Sequence, residues 1–463
     1  MTQRRALHPP SMTTADDLAE RSRRAVWHPC TQMKRLETEP LLPIASAEGP
    51  WLVGTDGRRY LDAVSSWWVN LFGHGHPAIR GAIEDQLATL DHVMLAGLTH
   101  EPVVRLAERL GELTGLGHAF FASDGASATE IALKMSAHAW RNAGKPAKCE
   151  FVGLQGGYHG ETIGALAVTD IRLFREAYAP LLRLAAVLPS PDTRHALAGE
   201  DPRAQAERCA QALERYLAEH EDRTAALIVE PLVQCAAGFG MHDAHYLKLV
   251  RQICRRHQVH LICDEIAVGF GRTGTLFAHQ QAGIVPDLVC LSKGLTGGTL
   301  PLSVVLSSDA VYERFYDDRG VRGFLHSHSY TGNPLACRAA LAVLDLFEQG
   351  LEGEPVFERN RRSTETLNAL TRPLDEHPRV RGRRQLGMLW AWDIDSRGLD
   401  GFAGAYHFAA REQGLLLRPI GDTLYFMPPY VCDDAALEQL AEGALAALEA
   451  VTAQASGWSV SLR

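Results

Sequence analysis

The chain has 463 residues, of which 46% are apolar and 22% are charged, which is typical of a folded globular protein with more than one domain. Its formal net charge of −9 argues against a basic surface for nucleic acid or anionic lipid. No apolar run approaches the roughly 18 residues of a membrane span, and Arg4 and Arg5 precede no apolar segment like that of a secretory signal.

The opening residues, MTQRRALHPPSM, lack hydrophobic periodicity and contain two prolines, so we expect residues 1–12 to be disordered, with Met12 as an alternative start. The rest of the N-terminal segment, to residue 70, is expected to pack with the C-terminal domain or with a partner subunit. Nine cysteines without a C-x-x-C pair indicate free thiols, a reducing cytoplasm and no metal site.

Between residues 71 and 350, short apolar runs alternate with helical patterns, which predicts a large α/β domain on a mostly parallel sheet. The predicted strands are 119–123, 149–155, 225–231, 259–265, 287–292 and 302–307. The predicted helices are 126–141, 243–257 and 334–349. Residues 351–463 predict a small α+β domain, with helices around 356–370, 402–413 and 434–452 and strands at 387–394 and 423–427.

The segment SDGAS (123–127) lies between the first of these strands and a helix. A helix start presents backbone N–H groups that can bind phosphate, so Gly125 and Ala126 are candidate phosphate donors, with the Ser127 hydroxyl beside them. An ordinary capped helix has the same pattern. Tyr158, in GGYHG after the next strand, could stack or hydrogen-bond at the same sheet edge, or could only pack.

Asp264 and Lys293 stand at or just beyond the carboxyl ends of two predicted strands, in HLICDE and PDLVCLSK. In α/β folds this edge is where ligands bind. A lysine in an apolar setting can form a Schiff base, and a carboxylate can hold a protonated ring nitrogen, so the two could bracket a planar cofactor. Each could also be a plain strand-end residue.

Three other motifs favour simpler interpretations. GFGRTG (269–274) matches a dinucleotide-binding fingerprint, but no long helix opens from it, which argues against a dehydrogenase. Arg272 within it is expected to shape the loop through hydrogen bonds. The pairs His74-x-His76 and His326-x-His328 lack further ligands at metal-site spacing and are interpreted as loop histidines.

DEIAVGFGRTG and CLSKGLTGG, at this separation, resemble the class III aminotransferases, a fold-type I pyridoxal-phosphate family, and the likeness covers the chain from about residue 27. A closer match, to members of the biotin pathway, is carried by WHPCTQM (27–33), YLDAVSSWWVNLFGH (60–74), HVMLAGLTH (92–100), HSHSYTGNPLAC (326–337) and LLRPIGDTLYFMPPY (416–430).

The resemblance implies pyridoxal 5'-phosphate as cofactor and a homodimer with its active site at the interface. Lys293 would hold the cofactor as a Schiff base and move protons, Asp264 would hold the pyridine nitrogen, and Tyr158 would cover the ring. The phosphate would be bound by Gly125 and Ala126, together with His328 and Ser329 of the neighbouring subunit.

The resemblance also implies 8-amino-7-oxononanoate as amino acceptor and S-adenosylmethionine as donor, although some members use lysine. Trp67 would line the substrate channel, Arg418 would bind the substrate carboxylate, and Tyr425 and Ser327 would lie close by. The alternatives are a class III ω-aminotransferase for a diamine or amino acid and a non-catalytic pyridoxal-binding protein.

The chain departs from the family pattern at three places. Cys30 replaces a tyrosine that contacts substrate, and it stands as a substrate-binding candidate. Ala126 replaces a serine of the phosphate loop. The loop residues 327–329 read SHS where some members have Gly-Pro-Thr.

Overall fold

The computed structural model of the chain describes residues 15–458, so the segment 1–12 and Met12 lie outside the described residues. In chain order its strands are β1 (Ile44–Glu48), β2 (Trp51–Gly54), β3 (Arg59–Leu61), β4 (His118–Ala122), β5 (Glu150–Leu154), β6 (Ala186–Leu188), β7 (Thr224–Val229), β8 (Val233–Gln234), β9 (Gly240–Met241), β10 (His260–Asp264), β11 (Leu288–Leu291), β12 (Ser303–Ser307), β13 (Val380–Leu386), β14 (Leu389–Ile394) and β15 (Thr423–Phe426).

The longer helices are α1 (Ala15–Ala25), α2 (Pro77–Leu87), α3 (Glu101–Thr114), α4 (Gly125–Asn142), α5 (Ile163–Val168), α6 (Pro202–His220), α7 (Ala244–Arg256), α8 (Pro334–Gln349), α9 (Val356–Leu370), α10 (Phe402–Glu412) and α11 (Asp434–Trp458). Four-residue helical turns lie at Ser65–Trp68, Arg172–Arg175, Asp309–Tyr312 and Arg372–Asp375. None of the helices within residues 15–458 is long and apolar enough to cross a membrane.

A seven-stranded sheet forms the centre of the chain, in the order β4-β12-β11-β10-β7-β5-β6. The strands from β11 to β6 are parallel, whereas β12 is antiparallel to both β11 and β4. The loop from β11 to β12 is too short for the helical crossover that a parallel pair requires. The expected mostly parallel α/β sheet is confirmed, and the six predicted strands match observed ones to within two residues.

The sheet is covered on both faces, which explains why its strands read as continuous apolar runs. All residues of β7, β11 and β12 are buried. Helix α4 packs against several of these strands on one face, and its buried side chains share a core cluster with β10, β11 and β12. The larger core cluster fills the opposite face and continues into the C-terminal part of the chain.

The C-terminal part contains a second, antiparallel sheet in the order β13-β14-β15, whose buried side chains share the larger core cluster with those of α9, α10 and α11. Strand β13 was missed in the sequence because its arginines alternate with partly buried positions and break the apolar run. The opening segment is joined to this part by backbone hydrogen bonds from Leu61 to Gly414 and from Met427 to Ala63. The division at residues 70 and 350 stays a prediction.

Candidate active site

Lys293 follows strand β11 by two residues, and its side chain is half-buried at the carboxyl edge of the sheet. Its backbone adopts a left-handed conformation with φ of 44°. The Nζ atom lies 5.0 Å from the ring centroid of Trp68. Desolvation lowers the pKa of the amine below its ordinary value, and the carboxylate of Asp264 offsets part of this effect. The sheet edge therefore presents an amine whose uncharged, nucleophilic form is favoured.

Asp264 ends strand β10 and is 3% exposed, beside the strand that leads to Lys293. Its Oδ1 accepts the backbone N–H of Ile266 at 3.0 Å, and its Oδ2 lies 2.7 Å from Nδ1 of the buried His159. These partners fix the carboxylate in one orientation. His159 was missed in the sequence, although it stands next to Tyr158 in the quoted motif GGYHG; no local signal shows that its ring turns inward.

The N-terminus of helix α4 lies at the same edge. Asp124 caps this helix, because its carboxylate accepts both the backbone N–H of Ser127 at 2.9 Å and the hydroxyl of Ser127 at 2.7 Å. The backbone N–H groups of Gly125 and Ala126 precede the intrahelical hydrogen bonds and form an anion-binding end. A Cβ at Gly125 would lie 3.0 Å from the side chain of Ile266, two residues after Asp264, so the close packing favours glycine there. The hydroxyl of Ser127 is committed to the cap.

Tyr158 is held at both ends. Its backbone N–H donates to Oε1 of Glu230 at 2.9 Å, and its hydroxyl donates to Oε1 of Glu161 at 3.0 Å. Cys30 is exposed and lies near this tyrosine, close enough to Glu161 and Arg418 for both charges to act on its thiol. Partial burial is the main cause that raises the pKa of this thiol. The structure thus brings Cys30, Tyr158 and Arg418 together, and adds Glu161.

Glu230 is a buried carboxyl, 5% exposed, that was not singled out in the sequence. Its two oxygens accept the backbone N–H groups of Tyr158 and Cys235, at 2.9 and 3.2 Å. Burial raises its pKa to about 7, and the neighbouring Asp264 adds to this effect, whereas His159 opposes it.

The pair Trp67–Trp68 lies on a left-handed turn. Ser65, Ser66, Trp67 and Trp68 have φ values of 52°, 47°, 71° and 74°. Left-handed backbone costs L-amino acids about 1–2 kcal/mol per residue, so the surrounding contacts must hold this turn in place.

The two indoles of this turn lie in different environments. Trp68 is buried, lies over Lys293, and donates from Nε1 to the Tyr425 hydroxyl at 3.1 Å. Trp67 is 45% exposed, and the guanidinium of Arg418 lies 5.3 Å from its ring centroid. The indole over the lysine is therefore that of Trp68, and the predicted place of Trp67 in the substrate channel stays a prediction.

The loop 327–329 lies near the start of α4. His328 Nδ1 lies 3.5 Å from Ser123 Oγ, at the long limit of a hydrogen bond, while its buried Nε2 has no partner within the described residues. Ser327 and Ser329 are exposed. The contact with Ser123 is made within one chain; the contribution of this loop to a neighbouring subunit stays a prediction.

The remaining motifs play other parts. The guanidinium of Arg272 donates to the backbone carbonyls of Pro428 and Asn70 at 2.8 and 2.7 Å, which agrees with its expected loop-shaping role. His74 pairs with Asp62 at 2.9 Å. Among the described residues, no three histidine, cysteine or acidic side chains are grouped so that they could hold a metal ion.

The chain matches the profile of the family described as aminotransferase class-III over residues 32–448. It is 41% identical to the adenosylmethionine-8-amino-7-oxononanoate aminotransferase of Helicobacter pylori, over 91% of this chain and 95% of the relative. It is 37% identical to the protein of the same name from Geobacter sulfurreducens, over 94% of this chain and 98% of the relative.

Solved structures agree in fold. A crystal structure of adenosylmethionine-8-amino-7-oxononanoate aminotransferase from Methanocaldococcus jannaschii has a TM-score of 0.86 and 31% identity, covering 94% of this chain and 99% of that one. The ω-transaminase from Pseudomonas jessenii in complex with PMP has a TM-score of 0.89 and 28% identity, covering 95% and 99%. The expected fold-type I architecture is confirmed, and the chain belongs to the class III aminotransferase family.

Proposed function

We propose that this chain is a pyridoxal-phosphate enzyme that transfers an amino group from S-adenosylmethionine to 8-amino-7-oxononanoate. The observation that carries the proposal is the convergence of the Lys293 amine, the Asp264 carboxylate and the free amides at the start of α4 on one sheet edge. The names of relatives 34–41% identical to this chain support the choice of substrates.

The residues present fit the cofactor. The amides of Gly125 and Ala126 would bind its phosphate, Asp264 would accept a hydrogen bond from its protonated ring nitrogen, and Tyr158 would lie against its ring. When bound, pyridoxal phosphate supplies an electron-accepting ring that stabilises negative charge developing at the substrate carbon.

Lys293 has two tasks in this scheme: its uncharged amine attaches the cofactor, and, once released, it accepts and returns the proton that moves during amino transfer. A lowered pKa suits both tasks, because it increases the fraction of the amine that is uncharged at a given pH. The indole of Trp68, held in place by its hydrogen bond to the Tyr425 hydroxyl, covers this amine. The hydrogen bond with His159 holds the side chain of Asp264 in a fixed position.

Substrate recognition is assigned to the exposed side of the same site. The guanidinium of Arg418 lies over Trp67, so a carboxylate bound there would have an aromatic wall for the aliphatic chain that follows it. We assign three further residues to the same substrate region: Tyr425, Cys30 and Ser327. A charge-assisted hydrogen bond is worth about 1.5–3 kcal/mol.

The test of substrate choice uses Arg418→Ala and Trp67→Ala, with two acceptors: 8-amino-7-oxononanoate and an analogue in which a methyl group replaces the carboxylate. We expect Arg418→Ala to lower kcat/KM for the oxo acid by roughly ten- to a hundredfold and to lose the preference for the carboxylate form. Trp67→Ala should lose activity but keep the preference. If Arg418→Ala retains the wild-type preference, another group binds the carboxylate. Half-reactions with S-adenosylmethionine and with lysine identify the donor.

We further propose a homodimer in which His328 and Ser329 reach the phosphate of the neighbouring site. Support comes from Nε2 of His328, which has no partner in the described part of the chain, and from exposed apolar side chains beside it, Leu325 at 85% and Tyr330 at 64%. Mixed dimers of Lys293→Ala and His328→Ala should regain activity, because one site then combines an intact lysine with an intact loop. Mixtures no more active than either parent would contradict this arrangement.

The nine free cysteines support a cytoplasmic location.

A further inference from the structure

The left-handed turn Ser65–Trp68 is anchored by the buried carboxylate of Asp62. Asp62 is 0% exposed. Its Oδ1 accepts the backbone N–H of Ser66 at 2.8 Å, and its Oδ2 accepts the Ser66 hydroxyl at 2.7 Å. The same Oδ2 lies 2.9 Å from Nε2 of His74. Both oxygens of the side chain are thus engaged around the turn.

Two further bonds show that the turn is held as a unit. The hydroxyl of Ser65 donates to the backbone carbonyl of Met427 at 2.6 Å, which fixes the first residue against the C-terminal part of the chain. Trp68 donates to Tyr425 at 3.1 Å, which fixes the last. Ser66, between them, is exposed, and the bonds that hold it come from Asp62. Without them, the middle of the turn would tend to relax toward ordinary backbone, because left-handed φ is unfavourable for serine.

We propose that Asp62 is a positioning residue: by stabilising the left-handed turn, its carboxylate keeps the indole of Trp68 over the amine of Lys293 and so keeps water from that amine. The inference rests on the proposed function, in which Lys293 is the residue that attaches the cofactor. It extends that function by assigning control of the lysine to a group that touches neither substrate nor cofactor.

The experiment measures how fast cofactor-free protein takes up pyridoxal phosphate, followed by visible absorbance across a pH series. Only the uncharged amine attacks the aldehyde, so the midpoint of the rate profile reports the titration of Lys293. Asp62→Ala should move this midpoint upward by about one pH unit, which makes uptake at neutral pH about tenfold slower. The matched control is Asp56→Ala, because the exposed Asp56 also caps a turn, the one between β2 and β3, but lies outside this cluster. Its midpoint should equal that of the wild type.

Rescue separates positioning from a direct charge effect. Glycine adopts left-handed backbone without steric cost, so Ser66→Gly added to Asp62→Ala should bring the midpoint back toward the wild-type value. Asp62→Asn, which keeps an acceptor for the Ser66 amide, should stay near wild type. If Asp62→Asn shifts the midpoint as far as Asp62→Ala does, or if Ser66→Gly rescues nothing, the carboxylate does not act through the turn and the proposal is wrong.

Two further outcomes concern the stability and the folding of the Asp62→Ala variant. If Asp62→Ala lowers the melting temperature but leaves the midpoint unchanged, Asp62 is only a folding residue and the proposal is overturned. If that variant does not fold, Ser66→Val replaces it: a β-branched residue opposes the turn with Asp62 intact, and an unshifted midpoint again contradicts the proposal. Failure of the proposed function is read separately, from wild-type protein that forms no borohydride-trapped adduct on Lys293.

Discussion

Replacing Glu230 by glutamine tests how the buried carboxyl behind Tyr158 affects stability. In the folded chain its pKa is raised from 4.5 to about 7, mainly by burial. Between these two pH values the folded protein keeps the proton while the unfolded chain releases it, so this group makes the protein less stable as pH rises through the window and has no further effect above about pH 7.

The magnitude follows from the size of the rise. A pKa difference of about 2.5 corresponds to roughly 3 kcal/mol, at 1.36 kcal/mol per unit. Unfolding entropy of about 2.1 cal/mol/K per residue over the whole chain means that 3 kcal/mol changes the melting temperature by about 3 °C. Glutamine does not titrate, so the wild type should lose about 3 °C relative to Glu230→Gln between pH 4.5 and 7.5.

The prediction concerns how the difference in melting temperature between the two proteins changes with pH, and not the size of that difference at any one pH. The glutamine amide can accept only one of the N–H groups of Tyr158 and Cys235, which costs about 1–3 kcal/mol at every pH. Melting temperatures are measured for both proteins from pH 4.5 to 8 at a fixed cofactor concentration. The control, Glu438→Gln on the exposed surface of α11, should run parallel to the wild type. A constant difference between Glu230→Gln and wild type across the range would refute the reasoning.

Three further substitutions have outcomes that follow from the same geometry. Lys293→Ala should abolish transamination with an unchanged circular dichroism spectrum, and more than trace turnover would contradict its assignment. Asp264→Asn should retain cofactor but lower the single-turnover rate by roughly ten- to a hundredfold, because the amide cannot stabilise a charged ring nitrogen; an unchanged rate would leave it a strand-end residue. Arg384→Ala removes the guanidinium that binds the carbonyls of Gly238 and Phe239 and the carboxylate of Asp393, and should lower the melting temperature by about 3 °C, from roughly 3 kcal/mol. A melting temperature equal to wild type would show that these bonds add nothing.

The interior of the large sheet was determined by the sequence alone. Strands covered on both faces must be apolar at consecutive positions, so β7, β10 and β11 stand out from any neighbouring segment. Because the ends of parallel strands meet at one edge, Asp264 and Lys293 could be paired from their places at the ends of two apolar runs. The start of helix α4 at Gly125 could be predicted in the same way, because it directly follows the end of another apolar run.

The walls of the site were decided only by the tertiary structure. Which tryptophan covers Lys293 depends on four left-handed residues, and nothing in the letters SSWW indicates positive φ in residues that normally avoid it. That backbone is held by Asp62 and by Met427, which stands 362 residues after the serine that it binds. The bond to Met427 joins residues that are far apart in the sequence, so a local sequence pattern cannot predict it.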